Sequence, residues 1–230
     1  MSTSGEPAGL ALPGDQLRVL GVLVEKELTT PQHYPLTLNA LTLGCNQSSN
    51  RDPVVDYDEA TVELAVRTLK QRGLTRFVHP THGRSVLRYE HLLRDVLGAD
   101  ERQLAILSVL LLRGPQTVGE LRARTERMVV FDDLAEVDHE LELLAGQAGG
   151  LVGPVPRRPG QKEGRYAHLL GADDPSDAPP PAGDGPTPPG PASAAAPVAT
   201  ELEALRREVA ELRDRIDEVR SALGLDDRDA

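Results

Sequence analysis

The chain has 230 residues, 39% of them apolar and only 3% aromatic, with no Trp; this is enough apolar material for one or two small domains whose interiors must come from Leu, Val and Ala. A single thiol, Cys45, excludes an internal disulfide and with it a cysteine-stapled secreted fold. Of the net charge of −11, −8 falls in residues 171–230, so residues 15–170 are nearly neutral and charge alone neither supports nor excludes a polyanionic partner.

Residues 1–14 lack the basic start and long apolar stretch of a signal peptide and read as an unstructured start. The most apolar run, Leu104 to Leu112, is bracketed by Arg102 and Arg113 and is too short to span a bilayer, so a cytoplasmic protein with no membrane partner is expected. Leu17, Val19, Leu20, Leu23 and Val24 mark a first helix, and Pro31 and Pro35 separate it from a short second helix over Leu36 to Leu43. After a polar loop from Asn46 to Asp52, Asp56 and Glu59 suggest a capping box for a third helix with Val62, Ala65, Val66 and Leu69 on its apolar face. The period then drops to two over Leu74 to Val78 and Val86 to Tyr89, predicting a β-hairpin around Pro80 to Gly83.

Arg88-Tyr89-Glu90-His91-Leu92-Leu93 recurs as Arg165-Tyr166-Ala167-His168-Leu169-Leu170, which implies a duplication. The second copy keeps the order: a helix near Glu101 to Leu112, one capped by Thr117 with Glu120, one capped by Asp133 with Glu136, then strands around Leu151 to Val155 and Arg165 to His168 flanking a polar tip. Three helices followed by a projecting hairpin describe a winged helix. The expected class is therefore mainly α with small β-hairpins (α+β), as two tandem winged-helix domains over 15–93 and 94–170.

Residues 171–199 hold nine of the nineteen prolines and no large apolar residue except Val198, the composition of a disordered linker. Over 200–224, Thr200 and Glu203 suggest a cap, and Leu202, Leu205, Val209, Leu212, Ile216, Val219 and Leu223 fall at heptad spacings; residues 225–230 read as a disordered end. Val209 and Ile216 at a with Leu205 and Leu212 at d predict a parallel coiled coil and a homodimer, the other reading being a helix that docks on its own domains.

Glu25 to Pro31 (EKELTTP) and Tyr34 to Val54 (YPLTLNALTLGCNQSSNRDPV) resemble the signature of the YceH-like family of bacterial proteins, and the likeness extends over roughly Asp15 to Leu170. The resemblance implies a tandem winged-helix fold without an established biochemical activity. Ser48 stands where the family pattern commonly has Lys.

Chemistry has little to work with. Cys45 and His33 lack a third orienting group, His79 and His82 lack neighbouring ligands at metal spacing, and Gly146, Gly149 and Gly150 follow a helix where a phosphate loop would precede one. His91 and His168 read as packing residues of the repeat. A non-enzymatic binding protein without cofactor or metal is expected, and two partner classes stay open. Double-stranded DNA is suggested by Arg67, Lys70, Arg72, Arg76 and Arg84 on the first domain and by Arg157, Arg158 and Lys162 on the second wing. A protein partner, as in an adaptor comparable to segregation-and-condensation protein B, is suggested by Glu59 and Glu63 on one third helix and by Asp132, Asp133, Glu136, Asp138, Glu140 and Glu142 on the other.

Overall fold

The computed structural model describes residues 10–78, 86–147, 149–156 and 163–172. Among these the chain is mixed α+β, with seven α-helices and small antiparallel sheets. Its first half runs α1 (Gly14–Thr29), a 3-10 turn (Pro31–His33), β1 (Leu36–Thr37), α2 (Leu38–Cys45), α3 (Glu59–Gln71), β2 (Thr75–Val78) and β3 (Arg88–His91). α4 (Leu93–Leu97) connects it to α5 (Glu101–Arg113), α6 (Val118–Thr125), α7 (Leu134–Gly146), β4 (Val152–Val155) and β5 (Arg165–His168). The linker and heptad segment of 173–230 lie outside the described residues.

The same hydrogen bonds recur in both halves. Thr37 caps α2 by accepting from Ala40 N–H, and Thr117 caps α6 by accepting from Glu120 N–H. Asp58 and Asp133 cap α3 and α7 in the same way, accepting from Thr61 and Glu136. At the end of each third helix, Leu74 N–H donates to Leu69 and Leu151 N–H to Leu144, while Leu92 donates to Leu74 and Leu169 to Leu151. Leu36 pairs with Tyr89, and Gln116 forms the matching bridge to Tyr166. Even the repeated arginines agree, Arg88 donating to the Pro35 carbonyl at 2.7 Å and Arg165 to that of Pro115 at 2.9 Å. The two matching hexapeptides therefore occupy equivalent last strands, joined antiparallel to β2 and to β4.

Several expected boundaries move. α3 is capped by Asp58 rather than Asp56, because Asp58 is the residue whose carboxylate reaches the free N–H of Thr61. β3 begins two residues after Val86, at Arg88. The expected division between residues 93 and 94 falls inside α4. Residues 10–13, assigned from composition to an unstructured start, are tied down: Leu12 is buried, its N–H donates to the Leu170 carbonyl at 2.8 Å, and its carbonyl accepts from Ala172.

The interior is continuous across both halves because α1 packs directly on α5. Val19 to Val24 on α1 and Leu104 to Leu112 on α5 are buried at every position, so neither helix has a solvent face there. Each covers its own half on one side and the opposite first helix on the other. The crossing is close at Gly21: a Cβ there would lie 2.8 Å from the Leu112 side chain, and the Gly21 carbonyl accepts from Ser108 Oγ at 3.1 Å. No helix among the described residues is long and apolar enough to cross a membrane.

Candidate functional site

The segments that carry the sequence signature build the seam between the halves. Arg51, whose side chain is fully buried, donates to both carboxylate oxygens of Glu25 (2.7 and 3.3 Å), twice to the Gly44 carbonyl, and to Asn50 O and Gln47 Oε1. Burial would raise the Glu25 pKa, but the Arg51 hydrogen bonds and charge outweigh it and hold the carboxyl below its ordinary value. The following loop then grips α5, Asp52 N–H donating to the Leu112 carbonyl at 2.9 Å and Arg113 to Asn50 Oδ1 at 3.0 Å. Arg18 in α1 is also buried and donates to Pro53 O. These polar residues act as a clamp, and sequence patterning missed them because a buried Arg has no period.

Cys45, the last residue of α2, is buried, and burial pushes its thiol up to about 12, which keeps it protonated and unreactive. His91 at the end of β3 sits 2.7 Å from Glu27 Oε2, its ring accepts from Leu93 N–H, and its backbone N–H donates to the Tyr34 hydroxyl. Its repeat partner His168 differs: its Nδ1 is buried with no hydrogen-bond partner among the described residues, and burial pushes its pKa down to about 4. The two histidines share a register and not a role. Among the described residues no group of three His, Cys, Asp or Glu side chains could hold a metal ion.

Of the cations proposed for a phosphate surface, those within the described residues each have an internal partner. Arg67 bridges to Glu63 at 2.6 Å, Lys70 lies 4.1 Å over the Phe77 ring, Arg72 donates to Leu10 O, and Arg76 pairs with Glu90. They share the C-terminal part of α3 and the adjoining β2, as the sequence implied. Arg84, Arg157, Arg158 and Lys162 lie outside the described residues, as do the heptad positions Leu202, Leu205, Val209, Leu212, Ile216, Val219 and Leu223.

The acidic load expected on α7 divides. Asp133 is the cap, Glu136 bridges to Arg102 at 3.3 Å and accepts from Asp132 N–H, and Glu140 is buried, accepting from Gln103 Nε2 at 3.1 Å. Glu140 thus faces α5 and is corrected from a surface residue to an interior one. The exposed face of α7 keeps Leu134, Ala135, Asp138, His139, Glu142 and Leu143, with no Lys or Arg anywhere in the helix. At the α3 positions equivalent to Glu142 and Ala145 stand Arg67 and Lys70.

A family model described as "Protein of unknown function, DUF480" matches residues 12–161. A UPF0502 protein of Geobacter metallireducens is 52% identical over 155 residues, covering 67% of this chain and 70% of its own. Another, from Koribacter versatilis, is 50% identical over 161 residues, covering 70% and 74%. A UPF0502 protein of Pelobacter propionicus is 44% identical over 213 residues, covering 91% of this chain and 96% of its own. With the seam residues and the first hairpin inside the matched region, the chain belongs to the DUF480, or UPF0502, family of uncharacterised bacterial proteins.

Proposed function

We propose that this protein is a non-enzymatic binding protein, built as two winged-helix halves, whose second half recognises a protein partner. The observation that carries the reading is the α7 face. In a DNA-reading winged helix the third helix enters the major groove, where phosphates flank it on both sides. An exposed face of Leu134, Asp138, Glu142 and Leu143 without a cation is repelled there, and it suits a partner that brings apolar and basic groups. The YceH-like likeness of the signature segments supports the winged-helix part of this reading.

The test is capture from a nuclease-treated lysate by the wild-type chain beside an Asp138→Lys/Glu142→Lys variant. A stoichiometric protein held by the first and lost from the second is expected. Recovery of DNA alone, or equal retention of the same protein by both, would overturn the reading.

Double-stranded DNA remains the second reading, favoured by the exposed Arg67, Lys70 and Arg76 of the first half. It predicts duplex binding at low salt, with a salt dependence that flattens by about one for each phosphate no longer neutralised when Arg157, Arg158 and Lys162 are changed to Glu. Self-association through 200–224 is a separate part of the proposal, and deleting 200–230 should then convert a dimer to a monomer in light scattering.

A further inference from the structure

The duplication supplies an internal comparison for the surface beside α7. Aligned on their caps Thr37 and Thr117, α2 carries Asn39 and Leu43 where α6 carries Gly119 and Ala123. Two buried positions stay alike in kind, Leu41 matching Leu121 and Cys45 matching Thr125, all inaccessible. Positions 39 and 119, and 43 and 123, are exposed in both halves, and the change there leaves a hydrogen and a methyl in place of two larger side chains. In their place is a groove of about 380 Å³ lined by Gly119, Ala123, Glu126, Val130, Phe131 and Leu134. Phe131 is buried, whereas Val130 and Leu134 are 64% and 48% exposed, so water meets two aliphatic side chains next to a concavity.

Size and charge narrow the occupant. A volume near the lower end of ligand-site size, roughly 300–1,000 Å³, takes one or two aliphatic side chains rather than a large cofactor. Glu126 lines the groove, Asp132 adjoins Phe131, and Asp138 follows Leu134 by one turn of α7. The cation of the lining, Arg122, is turned onto the backbone, donating to the carbonyls of Phe131 at 3.0 Å and Asp132 at 2.7 Å. Three carboxylates against the one guanidinium leave the surroundings net acidic, around a slot whose lining is about half apolar.

We propose that the α6/α7 groove binds the apolar face of a short basic amphipathic helix of a protein partner, one or two aliphatic anchors entering between Ala123, Val130 and Leu134 while Lys or Arg flanks face Glu126, Asp132 and Asp138. This deepens, and rests on, the protein-binding reading above.

The probes are two synthetic helical peptides of equal length and pattern, one of Leu and Lys and one of Leu and Glu, titrated into the full chain. The Leu/Lys peptide is expected to bind and the Leu/Glu peptide to give no signal. Ala123→Leu, which copies the side chain the first half carries at Leu43, should weaken Leu/Lys binding at least about tenfold, the loss of one anchor. Val130→Lys at an exposed site should do the same by adding a like charge. Both variants are checked by urea midpoint. Binding of neither peptide, equal binding of both, or unchanged affinity in the folded variants would overturn the proposal. A fall in particle mass on Ala123→Leu would put a second copy in the groove and overturn it too. A captured partner lost on Asp138→Lys/Glu142→Lys but kept by Ala123→Leu would sink the groove while leaving protein binding by α7 intact.

Discussion

Replacing Arg51 by Ala tests the buried pair that holds the loop after α2 against α1, beside the seam. In the native chain the Arg51 side chain is inaccessible, and that of Glu25 is 5% exposed. Removing the guanidinium leaves the carboxylate with Lys26 at 3.6 Å and Arg127 at 3.4 Å, the latter 62% exposed, and strips the Gly44 carbonyl of two donors. Breaking a buried pair by deleting one partner costs about 3–5 kcal/mol, because the survivor stays buried and uncompensated. Neither cation makes this up: Arg127 is largely exposed, where ion pairs are worth about 1 kcal/mol or less, and the half-buried Lys26 stays at 3.6 Å, beyond hydrogen-bond reach. For a folded unit of roughly 150–250 residues each kcal/mol moves Tm by about 2–4 °C, so a fall of roughly 6–20 °C is expected. Circular dichroism on the full chain reads it. Lys26→Ala and Arg127→Ala should stay within about 1 kcal/mol. Glu25→Leu combined with Arg51→Met, which removes both charges, should recover most of the loss. The pH dependence has a definite sign. With the folded Glu25 pKa below its ordinary 4.5, the pair's contribution is complete above about 4.5 and is lost as pH falls through the depressed value; Arg51→Ala should abolish that component. An Arg51→Ala protein melting within about 2 °C of wild type, or a double variant as damaged as the single, would refute the argument.

Other expectations follow from individual contacts. Gly21→Ala places a methyl against Leu112 and should cost about 1–3 kcal/mol, read as a lowered urea midpoint, whereas Gly14→Ala, with open space around it, should not. Cys45, its thiol held near 12, should resist iodoacetamide at pH 8 in the native chain and react once urea unfolds it; native labelling at the unfolded rate would contradict the burial. His168, neutral in the fold down to about pH 4, binds its proton more readily when unfolded. Stability should therefore fall as pH drops from about 6.5 toward 4, by at most about 1.4 kcal/mol per unit, and His168→Leu should lessen that slope in denaturation curves taken across the range.

The helices and hairpins were legible because their signals are local. Thr117 with Glu120 and Asp133 each accept the N–H their spacing implied, and the repeated Arg-Tyr-x-His-Leu-Leu lies in both last strands. Asp56 misled because two aspartates precede Glu59, and spacing alone does not decide which carboxylate reaches a free donor. The continuous core carried a signal read too narrowly: Leu104 to Leu112 leaves no polar stripe, and a helix apolar on all sides needs cover on all sides. Glu25, Arg51 and Glu140 gave no pattern at all, since charged residues default to the surface and their burial depends on partners 26 and 37 residues away in sequence.

Aligning Thr37 with Thr117 sets Leu43 against Ala123 in the sequence alone, which shows a difference in size and not a groove. Its meaning needed the structure, since a small residue on a helix surface is ordinary until its neighbours are known. Where the halves agree, at Leu41 and Leu121, Val62 and Val137, or Leu69 and Leu144, the residues are inaccessible and answer to packing. Some disagreements are internal, as at Ala65 and Glu140; those at Arg67 and Glu142, Lys70 and Ala145, or Leu43 and Ala123 are on the surface, where packing does not decide between them. A copied fold that keeps most of its apolar interior and loses the cations of one helix face presents two different faces from one scaffold. The α1/α5 core and the contacts of Asp52 with Leu112, Asn50 with Arg113 and Glu25 with Arg127 join the halves, so a partner of the proposed kind would meet a surface whose backbone is already ordered, and the cost of binding would fall on the partner's own helix.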